Sequence, residues 1–298
     1  MKADITLLHS LLLPGFPSGS AIEYHEGNIY LIGDDACDIL VLDTAYNKVT
    51  AIPLFDAPEK RIPKTEKADF EASVIVNLSG KTYLMVLGSA ATEKRKKLIL
   101  VPLLEAAYTP FLTAAYPDEF IQQLSKKGIH ELNIEGATAI HDALVLSNRG
   151  NETHPVNHLI FTTPDFWQQG AGKVMFVVPL TLLTSTPVFT GVSELCYVGE
   201  KDLLLLSLSS EATTNAYDDG AIGDSYIGWI NGISQKLHLP TLALDGLINL
   251  PAISDDFKGE KIEGLCLERI SGNELLLHLV SDNDSGESRL FKVAMTFQ

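Results

Sequence analysis

Five polar phrases recur along the chain, and each places one oxygen-bearing side chain at the head of an apolar run. The phrases occupy residues 18–22, 70–74, 134–138, 192–196 and 262–266. Their equivalent side chains, here called the axial ring, are Ser20, Glu71, Glu135, Ser193 and Glu263, and successive members are 51, 64, 58 and 70 residues apart. Self-similarity at a long, nearly constant period is typical of propellers and other repeat architectures. If the five runs surround one axis, the axial ring directs five side-chain oxygens at one place.

The chemistry of the axial ring points to a cation. Three of its five side chains are carboxylates, which repel one another unless they are protonated or neutralised. Ca²⁺ takes about six to eight oxygen ligands, whereas Zn²⁺ prefers the His and Cys side chains that the ring lacks. The sequence therefore predicts an axial Ca²⁺ that the ring holds directly or through water. The alternative is a hydrogen-bonded network that caps the strand starts around a water-filled channel.

Short apolar runs separated by turn residues follow each ring position, mostly in groups of four. This pattern predicts an all-β fold, a five-bladed β-propeller that forms a single domain over residues 1–298. The blades are expected at about residues 18–56, 70–115, 134–181, 192–240 and 262–298. The last group has only three runs, so we expect residues 4–13 to add its outer strand and close the ring. The alternatives are a two-sheet β protein, or a sixth blade within residues 103–130 or 232–260.

Two local patterns refine this organisation. Residues 117–128 begin with Pro and two acids and end with two lysines and Gly, which predicts one short helical insertion between blades. A weaker apolar pattern at residues 237–239 is expected to supply the last strand of the fourth blade.

The order Ser, Glu, Glu, Ser, Glu around five blades is similar to that of the calcium-activated nucleotidase (apyrase) family. Residues 27–35 resemble the family's phrase GKLYSxDD, residues 157–166 resemble its segment ending in SPDF, and residues 190–193 and 261–264 resemble two further phrases. That family is a five-bladed propeller with Ca²⁺ on its axis, and it hydrolyses nucleoside di- and triphosphates. The resemblance implies a Ca²⁺-dependent hydrolase that acts on a phosphorylated or otherwise anionic small molecule.

Polar residues that follow the second strand of each blade are expected to gather on one rim of the propeller. In such a hydrolase, Asp34 or Asp35 would orient or deprotonate a water molecule. Arg149 would clamp a phosphate, because a guanidinium binds two of its oxygens at once. The expected substrate-binding residues are Asn148, Arg149, Glu211 and Asp282. A plain turn residue is the alternative for Asp34, Asp35, Arg149, Glu211 and Asp282. An Arg149→Ala variant is then expected to lose turnover and keep its fold.

The composition argues against several classes of protein. The 298 residues carry a formal net charge of -16, whereas binding to a nucleic-acid backbone needs a basic surface. No stretch of 18 apolar residues occurs, so no membrane span is expected. The three cysteines give no disulfide framework or CxxC metal site, and we interpret Cys196 and Cys266 as small buried apolar residues. The N-terminus is a poor signal peptide, which predicts a cytoplasmic protein or one whose leader precedes this sequence.

Three function classes stay open at this point. The first is the Ca²⁺-dependent hydrolase of an anionic small molecule. The second is a non-catalytic propeller whose metal is structural and whose rim binds a ligand or a protein. The third is a hydrolase of the lactonase or esterase type, because metal-centred propellers host several chemistries. The sequence does not specify the oligomeric state.

Overall fold

Five β-sheets surround a central axis in the computed structural model. It describes residues 2–55, 61–63, 67–103, 112–168, 170, 173–182, 189–212, 215, 222–237, 239–283 and 286–298. The first strand of each sheet is its inner strand, and it lies against the inner strands of the two neighbouring sheets. The described part of the chain is therefore a five-bladed β-propeller, as the repeat predicted.

The first three blades follow one another along the chain. Strand β1 (Ala3–Leu13) precedes them. Blade 1 consists of β2 (Gly19–His25), β3 (Asn28–Gly33), β4 (Asp38–Asp43) and β5 (Lys48–Pro53). Blade 2 consists of β6 (Phe70–Leu78), β7 (Lys81–Gly88), β8 (Lys97–Pro102) and β9 (Leu112–Ala115). Blade 3 consists of β10 (Ile134–Ile140), β11 (Ala143–Asn148), β12 (Asn157–Thr162) and β13 (Phe176–Thr181), to which β17 (Leu242–Ala243) adds a fifth, parallel strand.

Blades 4 and 5 complete the circle. Blade 4 consists of β14 (Thr190–Val198), β15 (Leu203–Glu211), β16 (Ile222–Asn231) and β18 (Gly246–Asn249). Blade 5 consists of β19 (Lys261–Ser271), β20 (Glu274–Asp282), β21 (Ser288–Phe297) and β1. The helices of the described residues are α1 (Asp118–Lys126), α2 (Ile233–Lys236) and three 3-10 turns, Glu93–Arg95, Gly199–Lys201 and Asp255–Phe257. None of these helices is long and apolar enough to cross a membrane.

Five apolar clusters fill the five interfaces between neighbouring blades, so the core is divided into wedges. Between blades 1 and 2, for example, Tyr30 and Ile32 pack with Phe70 and Val86. Helix α1 adds Phe120 to the wedge between blades 2 and 3. Because alternate side chains of a strand point to opposite faces, every blade supplies both of its neighbours.

The N-terminal strand closes the propeller. Strand β1 pairs antiparallel with β21 from Ala3 to Leu13, with an irregularity between Leu7 and His9. The outer edge of blade 5 is thus built from the opposite end of the chain, as predicted. Such closure ties the first blade to the last and covers the edge of β21.

The first prediction tests this closure. Ile5 is 6% exposed and packs in the wedge between blades 4 and 5, whereas Leu8 of the same strand is 53% exposed. We expect Ile5→Ala to lower the free energy of unfolding by about 2–3 kcal/mol, because it removes buried apolar volume. Leu8→Ala is the matched control and is expected to change it by less than about 0.5 kcal/mol. Urea unfolding measures both, and equal effects would contradict the observed docking of β1.

Two expectations about the strands need correction or completion. The strand predicted near residues 237–239 is wrong at its described residues: Leu237 lies in the turn after α2, Leu239 lies in a bend, and β18 completes blade 4 instead. A buried Ile233 and a left-handed Gly232 favour the helical turn over an extended strand. The described parts of residues 103–130 and 232–260 contain no sixth blade, because their strands join blades 2, 3 and 4. Helix α1 confirms the predicted insertion.

Candidate functional site

A local irregularity in the five inner strands places the axial ring. In each inner strand the pairing with the second strand shifts at the ring residue, between Gly19/Ala21, Phe70/Ala72, Ile134/Gly136, Val192/Glu194 and Ile262/Gly264. Each shift leaves one residue, Ser20, Glu71, Glu135, Ser193 or Glu263, outside the regular ladder. A β-bulge of this kind bends the strand and re-aims a side chain. The repeat in the sequence is therefore a repeated bulge at the start of each inner strand.

Arg149 joins blades 3 and 4 through a buried network. Its side chain is 3% exposed, and its Nη1 donates to Glu135 Oε2 at 3.3 Å and to Ser193 Oγ at 3.2 Å. Its Nη2 donates to Glu211 Oε2 at 3.1 Å and to the Ser209 carbonyl at 3.5 Å. Burial alone would lower the pKa of Arg149, but the neighbouring Glu135 and Glu211 raise it above its usual value. The guanidinium is thus permanently charged and its two terminal nitrogens are occupied by the protein.

The absence of a side chain at residue 191 makes room for Arg149. A Cβ atom built on Gly191 would lie 2.2 Å from Arg149 Nε and 2.6 Å from its Cγ. Any larger residue at this position would displace the guanidinium from its carboxylate partners. Gly191 and Arg149 therefore form one structural unit.

Lys261 extends this network to blade 5. Its Nζ lies 3.0 Å from Glu211 Oε2 and 2.8 Å from Glu263 Oε1, and its side chain is 19% exposed. Glu135 also accepts a 2.6 Å hydrogen bond from Asn133 Nδ2. Burial raises the pKa of Glu135 to about 7, although Arg149 acts in the opposite direction. Two ring carboxylates, Glu135 and Glu263, consequently have protein cations as partners.

A second network of opposite charges lies at the entrance to blade 2. Lys67 Nζ forms ion pairs with Asp34 and, at 2.9 Å, with Asp69. Arg95 binds the other oxygen of Asp69 at 2.8 Å, and Ser89 donates to it at 2.5 Å. Burial raises the pKa of Asp34 to about 6 despite the adjacent Lys67, and Asp34 Oδ1 is buried without a hydrogen-bond donor.

Glu71 lies beside both networks and belongs to neither. Its carboxylate, with those of Asp34 and Asp69, offers oxygen atoms that all lie within 4.8 Å of one another. None of the described residues donates a hydrogen bond to Glu71 or forms an ion pair with it. Burial raises its pKa well above the usual value, and the carboxylates of Asp69, Asp34 and Glu135 add to the shift. We call Glu71 and the two networks around it the axial mouth.

The remaining predicted site residues lie around the axial mouth. Asp35 binds Arg61 at 2.7 Å and 2.8 Å, and Asp282 is close enough to Arg61 to raise its pKa. Asn148 is used by the backbone: its Oδ1 accepts from the Asn133 amide at 2.9 Å, and its Nδ2 faces two carbonyls. The ends of the second strands thus gather on one rim as expected, but the substrate-binding roles of these residues stay predictions.

The ring as a whole does not fit a five-ligand Ca²⁺ site. Ser20 Oγ donates to the carbonyls of Phe70 and Ile32, and Ser193 Oγ is shared between Arg149 and Ser209. Glu135 and Glu263 are in ion pairs. Glu71 is therefore the ring member whose oxygens have no direct protein partner among the described residues and could bind a metal. Among the residues that the structure describes, the acidic group that could hold a metal is Asp34, Asp69 and Glu71, which shares a single residue with the predicted set. Ca²⁺ itself stays a prediction.

Sequence reasoning named Arg149 but missed the other three cations of the axial mouth, Lys67, Arg95 and Lys261, although the repeat contains a signal for one of them. The residues two positions before the ring are Ser18, Asp69, Asn133, Gly191 and Lys261. These five positions form a second layer beside the axial ring, and two of its members, Asp69 and Lys261, carry charges of the axial mouth. Gly191 belongs to the same layer, where it leaves room for the Arg149 side chain. Lys67 lies two residues further upstream and Arg95 in the 3-10 turn before β8, and no repeat marks either position.

The chain belongs to DUF6929, a family of unknown function, whose model matches residues 15–295. No curated protein matches it in sequence. Among solved structures, glutaminyl cyclase from Myxococcus xanthus is similar, with a TM-score of 0.57 and 14% identity over 98% of this chain and 96% of that one. The arabinanase Arb43A of Bacillus subtilis has a TM-score of 0.46 and 12% identity over 95% of both chains. Virginiamycin B lyase from Staphylococcus aureus has a TM-score of 0.41 and 9% identity over 100% of both chains.

These comparisons support the fold and leave the chemistry open. Identities this low show a shared propeller and nothing about substrate. The matched family is not that of the apyrases, so the resemblance to calcium-activated nucleotidases is supported only in its five-bladed fold.

Proposed function

We propose that this member of DUF6929 is a hydrolase whose active site is the axial mouth, and that Glu71 transfers the proton during cleavage of an ester or amide bond. One observation carries the proposal. Glu71 is the ring carboxylate that accepts no hydrogen bond and forms no ion pair with a described residue, although Lys67 attracts it at longer range, and it offers an oxygen within 4.8 Å of oxygens of Asp34 and Asp69. A half-buried carboxylate crowded by two others is normally neutralised by a direct partner, so one without such a partner is a candidate functional group.

The reaction follows from the position of this carboxylate. Ionised Glu71 would remove a proton from a water molecule, whose oxygen then attacks the carbonyl carbon of the substrate. The bond to the leaving alcohol or amine breaks, and Glu71 returns its proton to that group. Burial supports this role, because a carboxyl with a raised pKa exchanges protons nearer neutral pH than an exposed one.

The charge of the mouth favours a substrate with a positively charged group. Six carboxylates face four cations in the two networks: Asp34, Asp69, Glu71, Glu135, Glu211 and Glu263 against Lys67, Arg95, Arg149 and Lys261. All four cations are held in ion pairs. A substrate ammonium group beside Asp34 and Glu71 would balance the excess negative charge. This proposal replaces the anionic substrate expected from the sequence, and it favours the esterase type among the earlier alternatives.

A second candidate is the Ca²⁺-dependent hydrolase of a phosphorylated or other anionic molecule. The triad of Asp34, Asp69 and Glu71 favours it, because clustered carboxylate oxygens are ligands that Ca²⁺ prefers. Bound there, the ion would polarise a phosphoryl oxygen and position a water molecule. Lys67 opposes this candidate, since its ammonium group already contacts two of the three carboxylates.

A substrate screen tests both candidates. Aminoacyl esters and amides represent the cationic class, nitrophenyl esters the neutral class, and nucleotides the anionic class. We expect turnover of an ammonium-bearing ester or amide that EDTA leaves unchanged. Turnover of nucleotides only with added Ca²⁺ would favour the second candidate. Turnover of no compound in any of these classes, with or without Ca²⁺, would favour the non-catalytic propeller.

The second prediction separates the two candidates without a substrate. We expect neither EDTA nor Ca²⁺ to change the melting temperature, because Lys67 and Arg95 already balance Asp34 and Asp69. A site that binds Ca²⁺ in the folded state would stabilise it by about 2.7 kcal/mol at a hundredfold excess over the dissociation constant. Calorimetry with Ca²⁺, and with Mg²⁺ as the control ion, measures the difference. A rise specific to Ca²⁺ would contradict the metal-free proposal.

A further inference from the structure

Lys67 brings a positive charge into the axial mouth from the connection that precedes blade 2. It lies three residues before Phe70, the first residue of β6, and its side chain is 10% exposed. Its Nζ forms ion pairs with Asp34, which follows β3 of blade 1, and with Asp69 Oδ1 at 2.9 Å. A buried ammonium group is therefore fixed between carboxylates that two neighbouring blades supply.

Glu71 completes the set of carboxylates around this ammonium group. Glu71, Asp34 and Asp69 each offer an oxygen atom, and the three oxygens lie within 4.8 Å of one another. Lys67 forms ion pairs with two of the three carboxylates and attracts the third, Glu71, at longer range. Three negative groups thus gather around one positive charge.

The backbone and side chain of Asp69 are held so that one of its oxygens faces Lys67. Its φ of 55° lies in the left-handed region, which residues other than Gly seldom adopt. Its Oδ2 is bound by Arg95 at 2.8 Å and by Ser89 Oγ at 2.5 Å, and its carbonyl accepts from the Ser89 amide at 2.9 Å. A disfavoured backbone conformation persists only where its surroundings over-determine it, and such residues cluster at functional sites. The oxygen left free by these contacts, Oδ1, is the one that Lys67 binds.

The spacing of the three oxygens is also that of metal ligands. Oxygens that share one Ca²⁺ lie about 2.3–2.6 Å from it, so two of them are at most about 5.2 Å apart. The three carboxylates satisfy this condition, since their oxygens lie within 4.8 Å. Asp34 Oδ1 is in addition buried without a hydrogen-bond donor. The Lys67 ammonium group therefore serves a position in which a divalent cation fits.

We propose that Lys67 is a positioning residue of the axial mouth, a tethered cation whose ammonium group stands where a metal ion would otherwise bind Asp34, Asp69 and Glu71. An ion has to be taken up from solution, whereas the lysine is part of the chain and gathers the carboxylates at any ion concentration. This inference rests on the metal-free mouth of the proposed function and assigns the charge that makes it metal-free. Its test needs no substrate, so the result of the substrate screen does not enter it.

Removing the ammonium group tests the proposal, because the same oxygens are then expected to take up a divalent ion. We expect Lys67→Met to bind one Ca²⁺ per chain with a dissociation constant of about 10⁻⁴–10⁻³ M, the weak end of protein Ca²⁺ sites, since only three side chains supply ligands. The wild type and Lys67→Arg, which keeps the charge, are expected to show no saturable binding in this range. Titration calorimetry measures the binding. Ca²⁺ is also expected to raise the melting temperature of Lys67→Met alone, a gain that loss of a merely structural lysine would not give.

Lys261→Met is the matched control. Lys261 also pairs with two carboxylates of the mouth, Glu211 and Glu263, at 3.0 Å and 2.8 Å. Among the described residues, however, these two do not belong to a group of three with oxygens as close as those around Lys67. We therefore expect Lys261→Met to gain no Ca²⁺ binding. Adding Glu71→Gln to Lys67→Met is expected to weaken its Ca²⁺ binding by at least about tenfold, because a ligand is lost.

Lys67→Gln keeps the test decisive if Lys67→Met fails to fold, since the neutral amide can still donate to Asp34. We expect this variant to bind Ca²⁺ as well. The proposal is overturned if neither folded variant binds Ca²⁺, or if Lys261→Met binds it equally well. Either result leaves the metal-free mouth of the proposed function in place. Saturable Ca²⁺ binding by the wild type would contradict both, so the two failures are distinguishable.

Discussion

Replacing Arg149 with Met is expected to lower the free energy of unfolding by about 3–5 kcal/mol at pH 7. The guanidinium is 3% exposed and pairs with Glu135 and Glu211, whose side chains are 10% and 7% exposed. Met keeps much of the volume but leaves two buried carboxylates without their main partner. Removing one member of a buried charge network costs far more than the network contributes when intact. Urea unfolding, with circular dichroism as the signal, measures the loss.

The pH dependence identifies the cause. With Arg149 present, burial still raises the pKa of Glu135 to about 7. Without the guanidinium this pKa rises further, so the folded variant binds protons that the unfolded chain has released. Below about pH 7 both folded proteins hold this proton, so the contribution of Glu135 to the deficit is expected to change little there and to grow as pH rises above about 7, where only the variant keeps it. Adding Glu211→Gln to the variant is expected to recover part of the stability.

A matched control is Arg61, which also pairs with a carboxylate, Asp35, but is 54% exposed. Arg61→Met is expected to cost no more than about 1 kcal/mol, the usual range for an exposed ion pair. Equal stability of the wild type and Arg149→Met would contradict the structural role, and would restore the phosphate clamp expected from the sequence. The structure thus reverses the expectation that an Arg149 variant keeps its fold.

The sequence predicts the strands that carry the site better than it predicts which charged side chains pair with one another. The repeated phrase identified all five inner strands, because a bulge at the same point of each blade constrains the same residue types. The orphan strand at residues 4–13 followed from counting runs, since an unclosed blade leaves a free edge. Both are consequences of local pattern and of the need to pair backbone groups.

The partners of each charge could not be predicted in the same way. Arg149 follows the second strand of its blade, as Asp34 does. Sequence position alone does not distinguish an arginine that binds substrate from a buried one that pairs with carboxylates of the protein. The distinction depends on Gly191, whose missing side chain lets the guanidinium reach Glu135 and Glu211. Lys67 is likewise separated from Asp34 by 33 residues and meets it only when blades 1 and 2 close. Such pairing gives the ring residues Glu135 and Glu263 protein partners that the sequence did not reveal.

The largest expected effect on catalysis is that of Glu71→Gln. We expect the variant to reduce kcat/KM by about 10²–10⁴-fold on the substrate found by the screen, the usual contribution of a positioned acid–base group. Gln is isosteric with Glu and cannot accept the proton from water. Steady-state rates across pH measure the effect. The acid limb of the wild-type profile is expected to lie above the usual carboxyl range, because burial and Asp69 raise the pKa of Glu71.

Stability is expected to change in the opposite sense, which separates catalysis from folding. A carboxyl whose pKa is raised in the folded state stabilises that state below its unfolded pKa of about 4.5 and loses this contribution as pH rises toward the folded value. Glu71→Gln removes that slope, so the variant is expected to be at least as stable as the wild type near neutral pH. Glu119→Gln, on the exposed face of α1, is the control and should alter neither property. A variant that is active but unstable would make Glu71 a structural residue, and an inactive, stable one is what an unpaired catalytic carboxylate requires.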